Sequence, residues 1–590
     1  MRYSAAELIY KHNDLYLLVN NKSIKLLSNI FKMSSKKIIT LVNNYCNTHD
    51  IVLTSIKLSG IPYDIKNQIS SKLWMEQDIE PAHGNNLVNK ATNYVNVNHG
   101  LNVLRDYKKV TPRSIYNKFS HLAKTLKDVK ILFISSTPQG GGVALMRHAL
   151  IRLSKLVGLN IRWHILEADS KIFKFTKKIH NATQNKLKKE DEEAFLNEPD
   201  LQYYQQWIEY NFNKLEDVIK SSTIVIIDDP QPSGLIPLIH KLNIPIVFRI
   251  HIHLIPELIK IKGSIQEKAF NFFNQHMKYV EKIIFHPVEE FIPYNIDRSK
   301  IVKFGAATDN LDGLNKQLSH SQVVSHLNRF NDYQKSINRN TIDVTRSQII
   351  QVSRFDPSKG IPDLLNAYLK FRNRSSQLPL SETPQLVVVG HGAIDDPDSI
   401  PILKEIDQLL KSDDFNNIKN DIIISKLPHH IKEDNYYFST DQVLNALMTK
   451  SKFALQLSHK EGYEIKITEA LWHGKPVIAY NTGGIPLQLK NDINGYLIET
   501  GNVNEVANKI FNLITNKSLY EIIQSNCKKY CNNNFTIDNM NNWFNVISTV
   551  LGIDTSTIKE LILAKISKYA KQLVKKIIKY VLKFVTSLKK

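Results

Sequence analysis

The chain has 590 residues, more than one hydrophobic core organises, so two principal domains with accessory segments are predicted. An apolar share of 42% beside 23% charged residues excludes disorder throughout, and no run of eighteen apolar residues is present to span a bilayer. The net charge of +21 suits an anionic small partner, whereas nucleic acid is excluded as a partner because no basic and aromatic recognition module interrupts the chain.

Residues 1–105 carry scattered amphipathic segments and no site motif, and form an N-terminal accessory region. The first chain start lacks the charged and apolar regions of an export signal. Cys46, Cys527 and Cys531 have no second pair or neighbouring His to complete a zinc site. A sparse, odd cysteine count fits a reducing compartment, so a cytoplasmic setting is expected.

From Val129 the pattern changes. VKILFIS reads as a buried strand, Gly140-Gly141-Gly142 as a turn, and the following segment repeats apolar residues at helical spacing. Consecutive glycines let backbone N–H groups approach an anion, and the helix start adds a favourable dipole. The spacing matches neither a P-loop nor a dinucleotide fingerprint. Further strands follow at 160–166, 222–232, 245–254, 282–287 and 300–306, so 106–340 is predicted to be a Rossmann-like, doubly wound α/β domain. Its last stretch, from Thr308 to about Thr345, is polar and reads as a connection.

A second strand–helix series at 348–355, 384–392, 420–427, 451–458 and 475–481 marks another such domain over 341–530. Two doubly wound domains in tandem face each other across a cleft at the carboxyl ends of their strands. At one such end stands Arg354-Phe355-Asp356-Pro357-Ser358-Lys359, with an Arg fork and a Lys point charge suited to phosphate. At another stands Glu461-Gly462-Tyr463-Glu464, with Glu469 in the helix beyond; carboxylates accept sugar hydroxyls, and Gly462 leaves room for close approach. Thr482-Gly483-Gly484 is a further glycine turn suited to phosphate. Asp396-Pro397-Asp398 reads as a polar loop cap, and no metal site is expected. Residues 531–590 are predicted helical. Ile558, Leu561, Ile562, Ile566, Tyr569, Leu573 and Ile577 make a stripe among lysines that either packs on the body or gives weak membrane association.

These motifs, in this order over residues 129–500, resemble family 4 of the retaining glycosyltransferases, which have the GT-B fold. Within it, FISSTPQGGGVALMRHAL, DDPQPSGLIP, FRIHIHL and FGAATDNLDGLNKQL are similar to the trehalose phosphorylases and their trehalose synthase relatives. The resemblance implies an acceptor-side first domain and a donor- or phosphate-side second domain. It implies reversible phosphorolysis of α,α-trehalose to α-glucose 1-phosphate and glucose. Nucleotide-glucose-dependent trehalose synthesis is the nearest alternative, and a non-catalytic sugar-binding or membrane-associated protein is a second. Arg354, Lys359, Glu461 and Glu469 would be catalytic. Gly140, Gly141, Gly142, Thr482, Gly483 and Gly484 would join the two cations around phosphate. Asp229, Arg249, His251, Glu461, Gly462, Tyr463 and Glu464 would meet the sugars, with Asp228 and His286 structural. No cofactor is implied, inorganic phosphate or glucose 1-phosphate being substrate; the partners are trehalose, glucose and phosphate, and a homo-oligomer is compatible.

Overall fold

A computed structural model describes residues 102–554 apart from 139–141, 188, 194, 392–398, 429, 434–435 and 532–534. Before 102 it describes 4–11, 14–19, 22–28, 33–34, 37–38, 40–42, 45, 51–57, 79–82, 86–89 and 92–97. The predicted helix over 557–590, with its stripe and lysines, lies outside these residues, as do Asp396-Pro397-Asp398. Among the described residues no helix is long and apolar enough to cross a membrane.

The accessory region opens with a four-stranded sheet of β1 (Ser4–Lys11), β2 (Asp14–Val19), β3 (Lys22–Leu27) and β4 (Ile51–Lys57), ordered β3-β2-β1-β4. The rest of that region is not separate from the first domain. Strands β5 (Ile79–Ala82), β6 (Asn86–Asn89) and β7 (Tyr94–Asn96) form an antiparallel edge on the first large sheet.

That sheet continues through β8 (Ile131–Ser135), β9 (Ile161–Ile165), β10 (Ile224–Asp228), β11 (Ile246–Arg249), β12 (Lys282–Phe285) and β13 (Ile301–Lys303). The order is β13-β12-β11-β10-β8-β9-β7-β6-β5, and all pairs from β13 to β9 are parallel. A parallel sheet is covered on both faces, so its strands are continuously apolar rather than alternating. ILFIS of β8 and IVIID of β10 are buried at every position. Two apolar clusters lie on the two faces.

The second domain is built alike. Its strands are β14 (Gln348–Val352), β15 (Gln385–His391), β16 (Ile422–Leu427), β19 (Phe453–Gln456), β20 (Val477–Tyr480) and β21 (Gly495–Ile498), with a ribbon of β17 (His430–Glu433) and β18 (Tyr436–Ser439) beside them. The order β16-β15-β14-β19-β20-β21 is parallel throughout.

Two segments sit on the other side of the predicted boundaries. The polar stretch after Thr308 contains a 17-residue helix, His320–Ser336, begun by a Ser319–Gln322 capping box. Its Leu327 and Phe330 pack with Leu314, Leu318 and Ile350 in the second domain, so the handover falls near 308–314 rather than 340. The helix Thr536–Val550 returns to the first domain, where Trp543 meets Phe133 edge-on at 5.1 Å and Phe544 stacks on Phe119 at 6.0 Å. Among the described residues the chain therefore crosses between domains twice, and the crossings touch: Thr536 N donates to Thr308 O at 3.0 Å.

Candidate active site

The carboxyl ends of both parallel sheets open on one cavity of about 300 Å³ between the domains. Strand ends there leave backbone groups and loop side chains facing outward, which is where open α/β sheets place ligands. On the second-domain side β14 ends in Ser353 and Arg354, and β19 leads into Lys460–Lys466. Lys359 is the centre of this wall. Its ammonium lies between two carboxylates, bonded to Glu461 and, at 2.6 Å, to Glu464. The three side chains are only 6–12% exposed.

One cation between two buried carboxylates leaves an excess of negative charge that a proton relieves. Burial, together with the neighbouring Glu464, pushes Glu461 up to about 7 against the pull of Lys359. Burial also opposes ionisation of Glu464, but Lys359 outweighs it and holds that carboxyl down at about 2. Glu464 has φ 60°, a left-handed backbone that non-glycine residues adopt at a cost of about 1–3 kcal/mol. Such strain at a cavity wall persists only when the surroundings over-determine it; here Lys359 holds the side chain and Gln488 Nε2 donates to the backbone oxygen at 3.2 Å.

On the first-domain side the Asp228 carboxylate ends β10 with no exposed surface. Arg147 donates to its Oδ2 from two nitrogens, and His251 Nε2 lies 2.8 Å from Oδ1. Burial raises the carboxyl, yet Arg147 and His251 overcome it and keep Asp228 ionised. Burial lowers His251 to about 4, against the opposing pull of Asp228. His251 is thus a neutral imidazole near pH 7, oriented from beneath and facing the cavity. Asp229 follows at φ 98° and lines the cavity beside it. His286 stacks on Tyr463 across the domain boundary, ring centroids 5.3 Å apart.

The predicted residues divide by position. Arg354, Lys359, Glu461, Gly462, Tyr463, Glu464, Asp229 and His251 meet in the cavity, and Asp228 and His286, predicted as structural, join them there. Gly140 and Gly141 lie outside the described residues; Gly142 begins the helix Gly142–Leu156, whose first turns line the cavity through Val143–Met146. Arg249 does not reach the cavity: it is 1% exposed, donates to Gly305 O at 3.0 Å, and lies over Phe304 at 4.6 Å. Glu469 is likewise turned aside, accepting from Thr308 Oγ1 at 2.8 Å and from Lys466 Nζ at 2.5 Å. It places Lys466, which does line the cavity.

Thr482-Gly483-Gly484 backs the wall instead of forming it. Gly484 N donates to Gly462 O at 3.2 Å, and a Cβ on Gly483 would stand 2.1 Å from Glu461 O. The glycines let the β20 turn support the glutamate loop from behind. Lys177, His180, Asn181 and Gln184 also line the cavity and were not singled out from sequence. Their spacing of i, i+3, i+4 and i+7 is one face of the helix Ser170–Thr183, a periodicity legible once that helix is placed.

Comparison with known proteins gives two family matches, "Trehalose synthase, N-terminal domain" over residues 133–293 and "Glycosyl transferases group 1" over 332–530. A trehalose phosphorylase of Pleurotus pulmonarius is 38% identical over 72% of this chain and 57% of its own length. The chain thus spans less than two thirds of that relative. A trehalose synthase of Thermococcus litoralis is 30% identical over 74% of this chain and 93% of its own length. Among solved structures, one described as trehalose-6-phosphate from E. coli bound with UDP-2-fluoro glucose aligns with TM-score 0.52 at 12% identity, covering 71% of this chain and 98% of that one. At that identity it speaks to fold alone, and the fold is GT-B.

Proposed function

This chain belongs to the family of the trehalose synthases and trehalose phosphorylases, and from that premise we propose that it is a retaining glucosyltransferase catalysing reversible phosphorolysis of α,α-trehalose. The observation that carries this reading is the meeting of Arg354 and Lys359 with Glu461 and Glu464 in one interdomain cavity. Two cations at a strand end suit a phosphate, and the carboxylates beside them suit sugar hydroxyls. The 38% identity to a trehalose phosphorylase, against 30% to a synthase, supports phosphate over a nucleotide.

In the proposed reaction the bond from C1 to the departing glucose oxygen breaks while a phosphate oxygen bonds to C1 from the same face. The proton of HPO₄²⁻ passes to the departing oxygen, leaving glucose 1-phosphate as the dianion and neutral glucose. Positive charge develops at C1, as in other glycosyl transfers, and the phosphate stabilises it. Arg354 and Lys359 hold that phosphate, aided by the start of the helix Gly142–Leu156. Glu461 and Glu464 fix Lys359 and meet sugar hydroxyls, while neutral His251 and Asp229 meet the sugar from the other domain. Phosphate is substrate, no cofactor takes part, and the setting is cytoplasmic.

Purified protein given trehalose and inorganic phosphate should release glucose 1-phosphate; failure to do so would sink the reading. One observation favours the alternative of a nucleotide-glucose-dependent synthase: the chain matches 93% of the synthase relative but 57% of the phosphorylase. Trehalose formation from nucleotide-linked glucose and glucose, with no glucose 1-phosphate from trehalose, would establish it.

A further inference from the structure

Lys177 belongs to the first domain, yet its ammonium lies 2.9 Å from Asp356 Oδ2 in the second, and both side chains are about one-tenth exposed. The helix that carries it, Ser170–Thr183, starts at Asp169, whose side chain accepts from Lys171 N and Ile172 N. Ile172, Phe175, Ile179 and Ala182 bury the opposite face in the first-domain core, which fixes the direction of Lys177.

Asp356 stands between Arg354 and Lys359 in the loop read as the phosphate motif. Its Oδ1 is occupied by Ser358 N at 2.8 Å and Ser358 Oγ at 2.6 Å. Its Oδ2 is shared, Lys177 at 2.9 Å and the Arg354 guanidinium at 3.9 Å. One carboxylate oxygen thus gathers two cations from opposite domains at the cavity wall, and Lys359 adds a third nearby. Asp356 offsets one of the two charges it gathers, and Lys359 is balanced by Glu461 and Glu464, so Lys177 and Arg354 together leave a net positive charge that favours an anion in the cavity.

We propose that Lys177 is an anion-binding residue of this site, supplied across the cleft by the domain opposite Arg354 and Lys359, so that phosphate binding draws the two domains together. An ammonium carries three donors, so its bond to Asp356 is compatible with another to a phosphate oxygen. Histidine at position 180, on the next turn, stays neutral: burial and the charges of Lys177 and Arg354 lower it to about 3. It therefore adds no charge that competes for the anion. The inference rests on the phosphorolysis reading for the identity of the anion, and its test is separable from it.

Two measurements on wild type, Lys177→Met, Lys177→Gln and Lys177→Arg decide the matter. The first is the KM split. Loss of one charge-assisted bond should raise KM for phosphate about tenfold or more in the Met and Gln variants. KM for trehalose should stay within about twofold, and Arg should recover most of the loss. An interdomain latch with no anion contact would move both KM values together, and no change in phosphate KM would equally overturn the proposal. The second is thermal stabilisation by inorganic phosphate, which needs no turnover. Wild type should gain melting temperature with phosphate and the Gln variant should gain less; equal gains overturn the proposal. Wild type that is stabilised by phosphate but makes no glucose 1-phosphate removes the phosphorolysis reading and leaves the anion contact to be judged by the second measurement. The Gln variant keeps length and polarity, so the comparison survives if the Met variant does not fold.

Discussion

Lys359, Glu461 and Glu464 form a buried group in which each charge is fixed by the other two, and Arg354 stands outside it with 31% of its side chain exposed. That contrast decides which substitution reads chemistry and not folding. Arg354→Ala would remove the proposed anion contact, and Asp356 would keep Lys177 as its partner. The substitution should lower kcat/KM for phosphate about a hundred- to a thousandfold and shift the melting temperature by no more than about 2 °C. A loss under tenfold would remove Arg354 from the anion site. Arg354, Lys359, Glu461 and Glu464 were legible in the sequence because they lie in two short runs, whereas His391, Leu444 and Lys466, single positions that also line the cavity, were not. Arg249 and Glu469 were read into the cavity from the same kind of proximity, but single positions along a strand or helix alternate between facing the ligand and facing the core. Arg249 ends under Phe304 and Trp543, and Glu469 ends on Thr308. Only packing sets that choice. Lys177 was invisible for the complementary reason, since one lysine in a lysine-rich chain has no local signal.

At the scale of elements, the glutamate loop is held between two backbones. The β20 turn supports it from behind, and the loop after β11 faces it from the other domain. Position 462 is where the second contact is made: a Cβ there would stand 2.3 Å from His251 O. Backbone cannot yield as a flexible side chain does, so Gly462→Ala should force the domains apart by a few tenths of an ångström or more. Misplacement of that order in a site that joins reactants from two sides should lower kcat/KM by about tenfold or more. The secondary structure should stay intact, checked by circular dichroism alongside steady-state kinetics. Retained wild-type turnover would mean that the cleft tolerates a wider setting than the close contact implies. The strands from β8 to β16 and β19 and β20 were legible, because a strand buried on both faces must be a short apolar run, whereas β1–β7, the ribbon of β17 and β18 and the four-residue β21 were not. Helix His320–Ser336 was missed because its exposed face is rich in Ser, Asn and His, and its buried face contributes few apolar residues.

For the molecule as a whole, buried neutral histidines set the acid limit of stability. Burial lowers His164, His251, His253 and His473 each to about 4. An unfolded histidine titrates near 6.5, so between about 6.5 and 4 the unfolded chain binds more protons than the folded one. Stability from these groups is therefore complete above about 6.5 and is lost as pH falls through that window. Glu461, raised to about 7, acts in the opposite sense over about pH 4.5–7, as do Asp312 and Asp538, both raised chiefly by burial, but seven lowered histidines stand against these three. The melting temperature should fall by about 5 °C or more between pH 7 and pH 5, measured by calorimetry in buffers of matched ionic strength. A flat profile over that interval would show the histidines to be solvated. The domain count was legible from length and the repeated strand–helix pattern. The partner of each crossing segment was not, since a segment's side of the cleft depends on which core its apolar face fits. The two crossings also have a mechanical consequence. They are pinned to each other through Thr308, Phe535 and Thr536, and two bodies joined along a single line keep one freedom, rotation about that line, like a book about its spine. Glu469, bonded to Thr308, lies on the spine and barely travels as the covers move.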